Sequence, residues 1–176
     1  MTEKINQLRK FLENHPDDLI TWQELGYLYF QEGDISKAIE TYERAIQIFP
    51  DDPIMRHNLG FMHYEAGNYS DAIKSLKKAT ELNPKLAISY SELSSVYIDI
   101  KKYEKAALVA KKALELNPRD VDALINLGSS YYNLDRTDDA IKALKKALEL
   151  DPKNIFAHDI LELTREKLKE KWNEIQ

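Results

Sequence analysis

The stretch ALELNPRD, residues 113–120, has close copies in ATELNPKL (79–86) and ALELDPKN (147–154), and looser ones in AIQIFPDD (45–52) and FLENHPDD (11–18). Its proline belongs to a series. Pro16, Pro50, Pro84, Pro118 and Pro152 follow one another at a constant 34 residues. Pro53 stands outside the series; it follows Asp52 and reads as a first-turn proline behind an Asp N-cap. The glycines keep the same period. Gly26, Gly60 and Gly128 share one register, with Ser94 in the remaining slot, and Gly33 and Gly67 share another, with Lys101 and Asp135 in the matching slots. No glycine remains for a phosphate-cradling loop.

A fixed period of this length signals stacked supersecondary units, each unable to bury its apolar face alone. Each unit reads as two helices. Trp22, Leu25, Leu28 and Tyr29 fall on one stripe, Gly33 interrupts, and Ala38, Tyr42, Ala45 and Ile46 form a second stripe that Pro50 ends. Spacings of three and four put each set on one helical face. Small residues at fixed places, including Ala38, Ala72, Ala106 and Ala140, allow close helix approach. Asp18, Asp52, Asp120 and Asn154 each follow a repeat proline by two residues, where an N-cap for the next helix belongs. Leu86 fills that slot in the third unit, so a less crisp helix start is expected there.

The tetratricopeptide repeat (TPR) family carries the pattern W-x2-L-G-x2-Y…A-x3-F…P over 34 residues. The chain resembles it four times. Residues 19–52 present Trp22, Leu25, Gly26, Tyr29, Ala38, Tyr42, Ala45 and Pro50; residues 53–86 present Arg56, Leu59, Gly60, His63, Ala72, Leu76, Ala79 and Pro84. Residues 87–120 present Tyr90, Leu93, Ser94, Tyr97, Ala106, Ala110, Ala113 and Pro118; residues 121–154 present Leu124, Leu127, Gly128, Tyr131, Ala140, Leu144, Ala147 and Pro152. The tryptophan slot holds its expected residue only at Trp22. The resemblance implies an all-α fold: a right-handed superhelical solenoid of helix-turn-helix units, first helices lining a concave groove and second helices forming the back. A single domain over 1–176 is expected, with residues 2–15 as a lone second helix and 155–174 as a long capping helix. Ile5, Leu8, Phe11 and Leu12 mark the apolar stripe of the former; Ile160, Leu161, Leu168 and Trp172 are the apolar positions of the latter.

Bulk properties bound the function. The chain has 176 residues, 43% of them hydrophobic, a formal net charge of −5 and no cysteine. Disulfides, thiolate metal sites and cysteine nucleophiles are excluded. The acidic balance and the want of a basic face argue against nucleic acid. The charged opening MTEKINQLRK has no apolar core of a signal peptide, and no apolar run approaches the roughly 20 residues of a membrane span. A soluble, cytoplasmic protein is expected.

Catalysis has little support. His57 and His63 are six apart and point to different sides of one helix, and His63 occupies the packing slot of Tyr29, Tyr97 and Tyr131. The carboxylate pairs Asp17/Asp18, Asp51/Asp52 and Asp138/Asp139 lie at helix starts, where free N–H groups favour them. No metal or other cofactor is expected. The lysine doublets Lys77/Lys78, Lys111/Lys112 and Lys145/Lys146 are followed by Glu81, Glu115 and Glu149 at four residues from the first lysine, so internally paired, solvated helix faces are expected.

What varies between repeats carries the functional reading. By the resemblance, four rows of first-helix side chains face the groove: Ile20, Ile54, Ile88, Asp122; Gln23, His57, Ser91, Ile125; Tyr27, Phe61, Ser95, Ser129; and Gln31, Glu65, Asp99, Asn133. The early repeats offer aromatic and branched apolar surface, the later ones hydroxyls. First-helix charges are nearly all acidic, namely Glu24, Glu32, Glu65, Glu92, Asp99 and Asp122 against Arg56. TPR cochaperones of one kind hold acidic tails through a lysine, asparagine and arginine clamp. Asn58 matches the asparagine, but Gln23, Ile88 and Glu92 stand where cations are needed, and the groove would repel such a tail. The expectation is therefore a non-catalytic adaptor that binds a peptide or amphipathic helix bearing basic residues. Its expected site is Ile20, Tyr27, Ile54, His57, Asn58, Phe61, Glu65, Ile88, Ser95, Asp99 and Ser129. The alternative is a scaffold that self-associates through the ends of its repeat array.

Overall fold

A computed structural model describes residues 2–175, and among these the chain is an all-α helical repeat. It divides into two compact units, residues 1–84 and 85–176. The first holds α1 (Thr2–Asn14), α2 (Leu19–Gln31), α3 (Ile35–Ile48), α4 (Pro53–Glu65) and α5 (Tyr69–Leu82). The second holds α6 (Ala87–Asp99), α7 (Tyr103–Leu116), α8 (Val121–Asn133), α9 (Thr137–Leu150) and α10 (Ile155–Ile175). Within each unit every helix packs on the one before it, and α6 and α10 also pack on α8.

Local chemistry sets the helix boundaries. Asp18, Asp52 and Asp120 accept a hydrogen bond from the backbone N–H three residues on, at 2.7, 2.7 and 3.0 Å, and Asn154 accepts one from Ala157 at 3.1 Å. Each satisfies a donor that the first turn leaves free. Leu86 caps α6 without a side-chain bond, as its apolar side chain dictates. Asp34 supplies a further cap, to Lys37 at the start of α3. The turns inside the repeats need a left-handed residue, and Gly33, Gly67, Lys101 and Asp135 all take positive φ, from 58° to 78°. Glycine does so without a Cβ clash; the lysine and aspartate carry the strain.

The tryptophan slot has a role wider than its residue. Trp22 Nε1 donates to the Pro16 carbonyl at 2.8 Å, Arg56 Nε and Nη2 reach the Pro50 carbonyl at 3.4 Å, and His158 Nε2 lies 2.9 Å from the Pro152 carbonyl. In each case a side-chain N–H spans six residues back to a carbonyl in the turn, two residues past the end of the preceding helix.

The glycine register sets how closely the two helices of a repeat approach. A Cβ on Gly26 would lie 2.5 Å from the Tyr42 ring, on Gly60 2.7 Å from Leu76 Cγ, and on Gly128 2.6 Å from Leu144 Cγ. The third repeat pairs Ser94 with Ala110 in the same register, and the Ser94 hydroxyl donates to the Ala106 carbonyl at 3.0 Å. A larger residue in one slot goes with a smaller one in the other.

The ends differ from the sequence reading in detail. In α1, Ile5 and Leu12 are buried, while Phe11 is exposed and stacks on His15 with ring centroids 4.4 Å apart. Among the described side chains of α10, Ala157, Leu161 and Thr164 are buried and Trp172 is exposed. Lys167 ties this helix to α8, donating to the Tyr132 carbonyl at 3.1 Å and pairing with Asp135 at 2.5 Å. The repeat register puts Glu162 in the glycine slot of α10 and Arg165 in its tyrosine slot. The lysine doublets also pair differently from expectation. Lys78 meets Glu81 at 3.4 Å and Lys112 meets Glu115 at 2.8 Å, so the second lysine is used, at three residues rather than four. Both spacings share a helix face, and exposed pairs of this kind contribute little to stability.

His57 is 8% exposed, and burial pulls its pKa down to about 4. The folded chain therefore holds it neutral where the unfolded chain would protonate it. Stability present above the ordinary histidine pKa of about 6.5 is lost as pH falls toward the folded value, by at most roughly 3 kcal/mol from this group. Asp18 and Asp34, held low by hydrogen bonds from Thr21 and Lys37, give way only at lower pH. Urea unfolding from pH 7 to pH 4 should show this slope, and His57→Gln should flatten it; an unchanged slope would refute the assignment. A second test addresses the helix contact. Gly60→Ser and Leu76→Ala should each lower the urea midpoint, and the double variant, which copies Ser94/Ala110, should lose less than the sum of the two, a coupling of about 0.5 kcal/mol or more.

Candidate functional site

In the first unit, α2 and α4 present the variable rows. An open cavity of about 460 Å³ lies between them, lined by Ile20, Gln23, Glu24, Tyr27, Tyr42, Asn58, Phe61 and Met62. Ile20 and Tyr27 are 73% and 54% exposed on α2, seven residues apart and so on one side of the helix. Across from them Phe61 stands on α4, edge-on to Phe30 at 5.5 Å between ring centroids and 70° between planes. That contact holds the Phe61 ring in place while leaving it part-exposed to the cavity.

Tyr42 and Met62 are the buried members of the lining. The Tyr42 ring lies under Gly26, its hydroxyl donates to the Gln23 carbonyl at 3.2 Å, and burial pushes its pKa up to about 12, so it stays neutral. Neither residue belonged to the expected site. The signal for Tyr42 was its place opposite a repeat glycine. The one charged side chain in the lining is Glu24, which pairs with Lys4 of α1 at 2.5 Å.

Of the expected site residues, Ile20, Tyr27, Asn58 and Phe61 thus come together at one cavity. Ile54 and Glu65 are exposed on α4 outside its lining, and His57 is buried in the packing. In the second unit, Ile88 and Asp99 are exposed on α6. Ser95 is drawn into a polar seam: Asn126 of α8 donates to its hydroxyl at 2.9 Å and to the Ser91 carbonyl at 3.3 Å. Ser129 lends its carbonyl to Asn133 at 2.8 Å.

The rows also continue onto α10, which the sequence reading stopped short of. One more period beyond Asp122 and Ser129 reaches Phe156 and Leu163, both exposed. Beside them in the register stands Asp122, whose carboxyl pKa is raised by burial and by the nearby charge of Asp120.

Two larger crevices carry charged rims over apolar side chains that are mostly buried, among them Leu12, Trp22, Leu25 and Tyr29 in one and Leu59 in the other. A 530 Å³ opening between α1, α2 and α3 is rimmed by Arg9, Glu13, Lys37, Glu40 and Arg44, and a 500 Å³ one along α3, α4 and α5 by both signs of charge. The latter also touches His63, whose Nδ1 is buried without a hydrogen-bond partner. Among the described residues, no helix is long and apolar enough to cross a membrane.

Comparison with known proteins accords with this architecture. A family model described as TPR repeat matches residues 26–67 and 62–98, and two described as tetratricopeptide repeat match residues 87–120 and 121–154. The chain resembles the crystal structure of MamA at TM-score 0.77 and 28% identity, covering 85% of this chain and 87% of that one. YrrB, described as a TPR protein with an unusual peptide-binding site, superposes at TM-score 0.76 with 19% identity, covering 92% and 84%. The first TPR of Spaghetti (RPAP3) bound to the HSP90 peptide SRMEEVD superposes at TM-score 0.66 with 24% identity, covering 67% and 94%. No curated protein matches by sequence. With its repeats in register, its helices paired through the glycine slot and these matches spanning residues 26–154, the chain belongs to the tetratricopeptide repeat family.

Proposed function

We propose that this protein is a non-catalytic adaptor, and that the groove between α2 and α4 binds an apolar segment of a partner protein flanked by basic residues. The observation that carries this reading is the open 460 Å³ cavity with Ile20 and Tyr27 exposed and Phe61 part-exposed in its walls. Aromatic and branched side chains left in water at a concave place are what a docking segment covers, and a few such anchors supply most of the binding energy. Glu65, exposed on the same helix as Phe61, favours lysine or arginine beside the apolar anchors, while Glu24 in the lining is already paired with Lys4.

Similar folds support a peptide or protein as the ligand class, since YrrB is described by its peptide-binding site and the RPAP3 domain by its bound HSP90 peptide. The acidic character of SRMEEVD is a poor guide here. Where the carboxylate clamp needs cations, this chain has Gln23, Ile88 and Glu92. Stacking of arrays end to end, the alternative, has less support at α10: a second helix in repeat register would meet Glu162 where the other repeats offer glycine or serine.

Ile20 and Tyr27 are the residues to change, because their exposure separates binding from folding; Phe61 also supports the Phe30 contact. The Ile20→Asp, Tyr27→Ala double variant should keep the wild-type circular dichroism and melting curve. Used as bait in the source cell, it should recover groove-dependent partners at least about tenfold less than wild type, the loss of one modest anchor or more. Equal recovery of every partner by quantitative mass spectrometry would defeat the groove reading.

A further inference from the structure

Leu108 is 69% exposed on the outer side of α7. In the other three repeats its slot holds Glu40, Lys74 and Lys142, all exposed. It is a solvent slot, and only the third repeat puts an apolar side chain there. Lys105 and Lys112, three residues before it and four after, share its face and are exposed. Residues 101–116 together carry five lysines against two glutamates. Lys105 lies 6.0 Å from the centre of the Tyr97 ring, Lys112 pairs with Glu115, and the exposed Glu104 stands four residues before Leu108. The helix thus shows an apolar knob on a stretch with an excess of lysine.

The groove of the first unit has the inverse chemistry: apolar walls at Ile20, Tyr27 and Phe61, with Glu24 in the lining and Glu65 on the same helix. We propose that α7 of one molecule docks into the α2–α4 groove of a second copy, Leu108 entering beside Tyr27 and Phe61 while Lys105 faces Glu65. The inference rests on the groove reading above and names a further occupant for that groove. A helix laid in an apolar groove is a recurring recognition mode, and here the charges select the orientation. The two surfaces differ, so the contact is heterologous and copies add head to tail. Self-docking would then compete with any partner for the groove. A lipid surface fits less well, because one leucine among lysines offers little apolar area to insert; the inner face of α7 is spent on the buried Ala106, Ala110 and Ala113.

Sedimentation equilibrium over about a hundredfold concentration range tests this at low and high salt. The mass-average weight of the wild type should climb with concentration and fall back toward monomer in high salt, where exposed charges are screened. Leu108→Glu and Tyr27→Ala should each remain monomeric with unchanged circular dichroism, as both side chains are exposed. Mixed in equal amounts they should form a species of twice the monomer mass and no larger, because one keeps an intact groove and the other an intact α7. A wild type that stays monomeric throughout, association that persists in Leu108→Glu, or a mixture that stays monomeric would each overturn the proposal. So would Leu108-dependent cosedimentation of a monomeric wild type with phosphatidylserine-containing vesicles, which would make the occupant a membrane. Leu108→Glu leaves the groove intact, so loss of self-docking and loss of partner capture can be told apart.

Discussion

Each repeat depends on two helices coming closer than a pair of ordinary side chains would permit. The backbone at Gly26, Gly60 and Gly128 receives the side chain sixteen residues on, and Ser94 is admitted only where that side chain is Ala110. Close packing makes the contact intolerant of added volume, and the cost of glycine in a helix is offset by the burial it allows. Once the hairpin is set, its register follows. The same positions of every first helix are committed to packing, and the rows beside them are left to vary.

What varies is mainly size, and size divides the two units. Between α2 and α4 the matching row is Tyr27 and Phe61, and an apolar opening remains there. Between α6 and α8 the corresponding residue is Ser95, and Asn126 reaches it directly. The second seam satisfies its own polar groups, whereas the first leaves apolar surface in water. The charges add direction. First helices are acidic, and the outer side of α7 is basic with a leucine at its centre.

Much of this was legible from periodicity. The repeat boundaries and the caps at Asp18, Asp52, Asp120 and Asn154 follow from residues that recur at one spacing; Lys101 and Asp135 showed only as occupants of the Gly33 and Gly67 slot, not as left-handed turns. His57 was not legible: its row alternates among glutamine, histidine, serine and isoleucine, and how far helix packing closes over it depends on neighbours that no local pattern encodes. The choice between the two lysines of a doublet turns on rotamers, which spacing leaves open. Phe156 and Leu163 could have been found by one more step of the period, but the dense charge of α10 drew attention to its capping role. Leu108 was visible too, as the odd member of an otherwise charged slot.

The bond to the repeat proline carbonyl bears on how such chains diverge. Trp22, Arg56 and His158 differ in volume, charge and aromaticity, and substitution tables treat them as strangers. Structurally they are synonyms, since each brings an N–H to the carbonyl six residues back. Drift among these three can therefore keep the bond to the turn, whereas Tyr90 and Leu124 in the same slot have no side-chain N–H to offer. Such a repeat looks degenerate at its best-known letter while its grammar is intact.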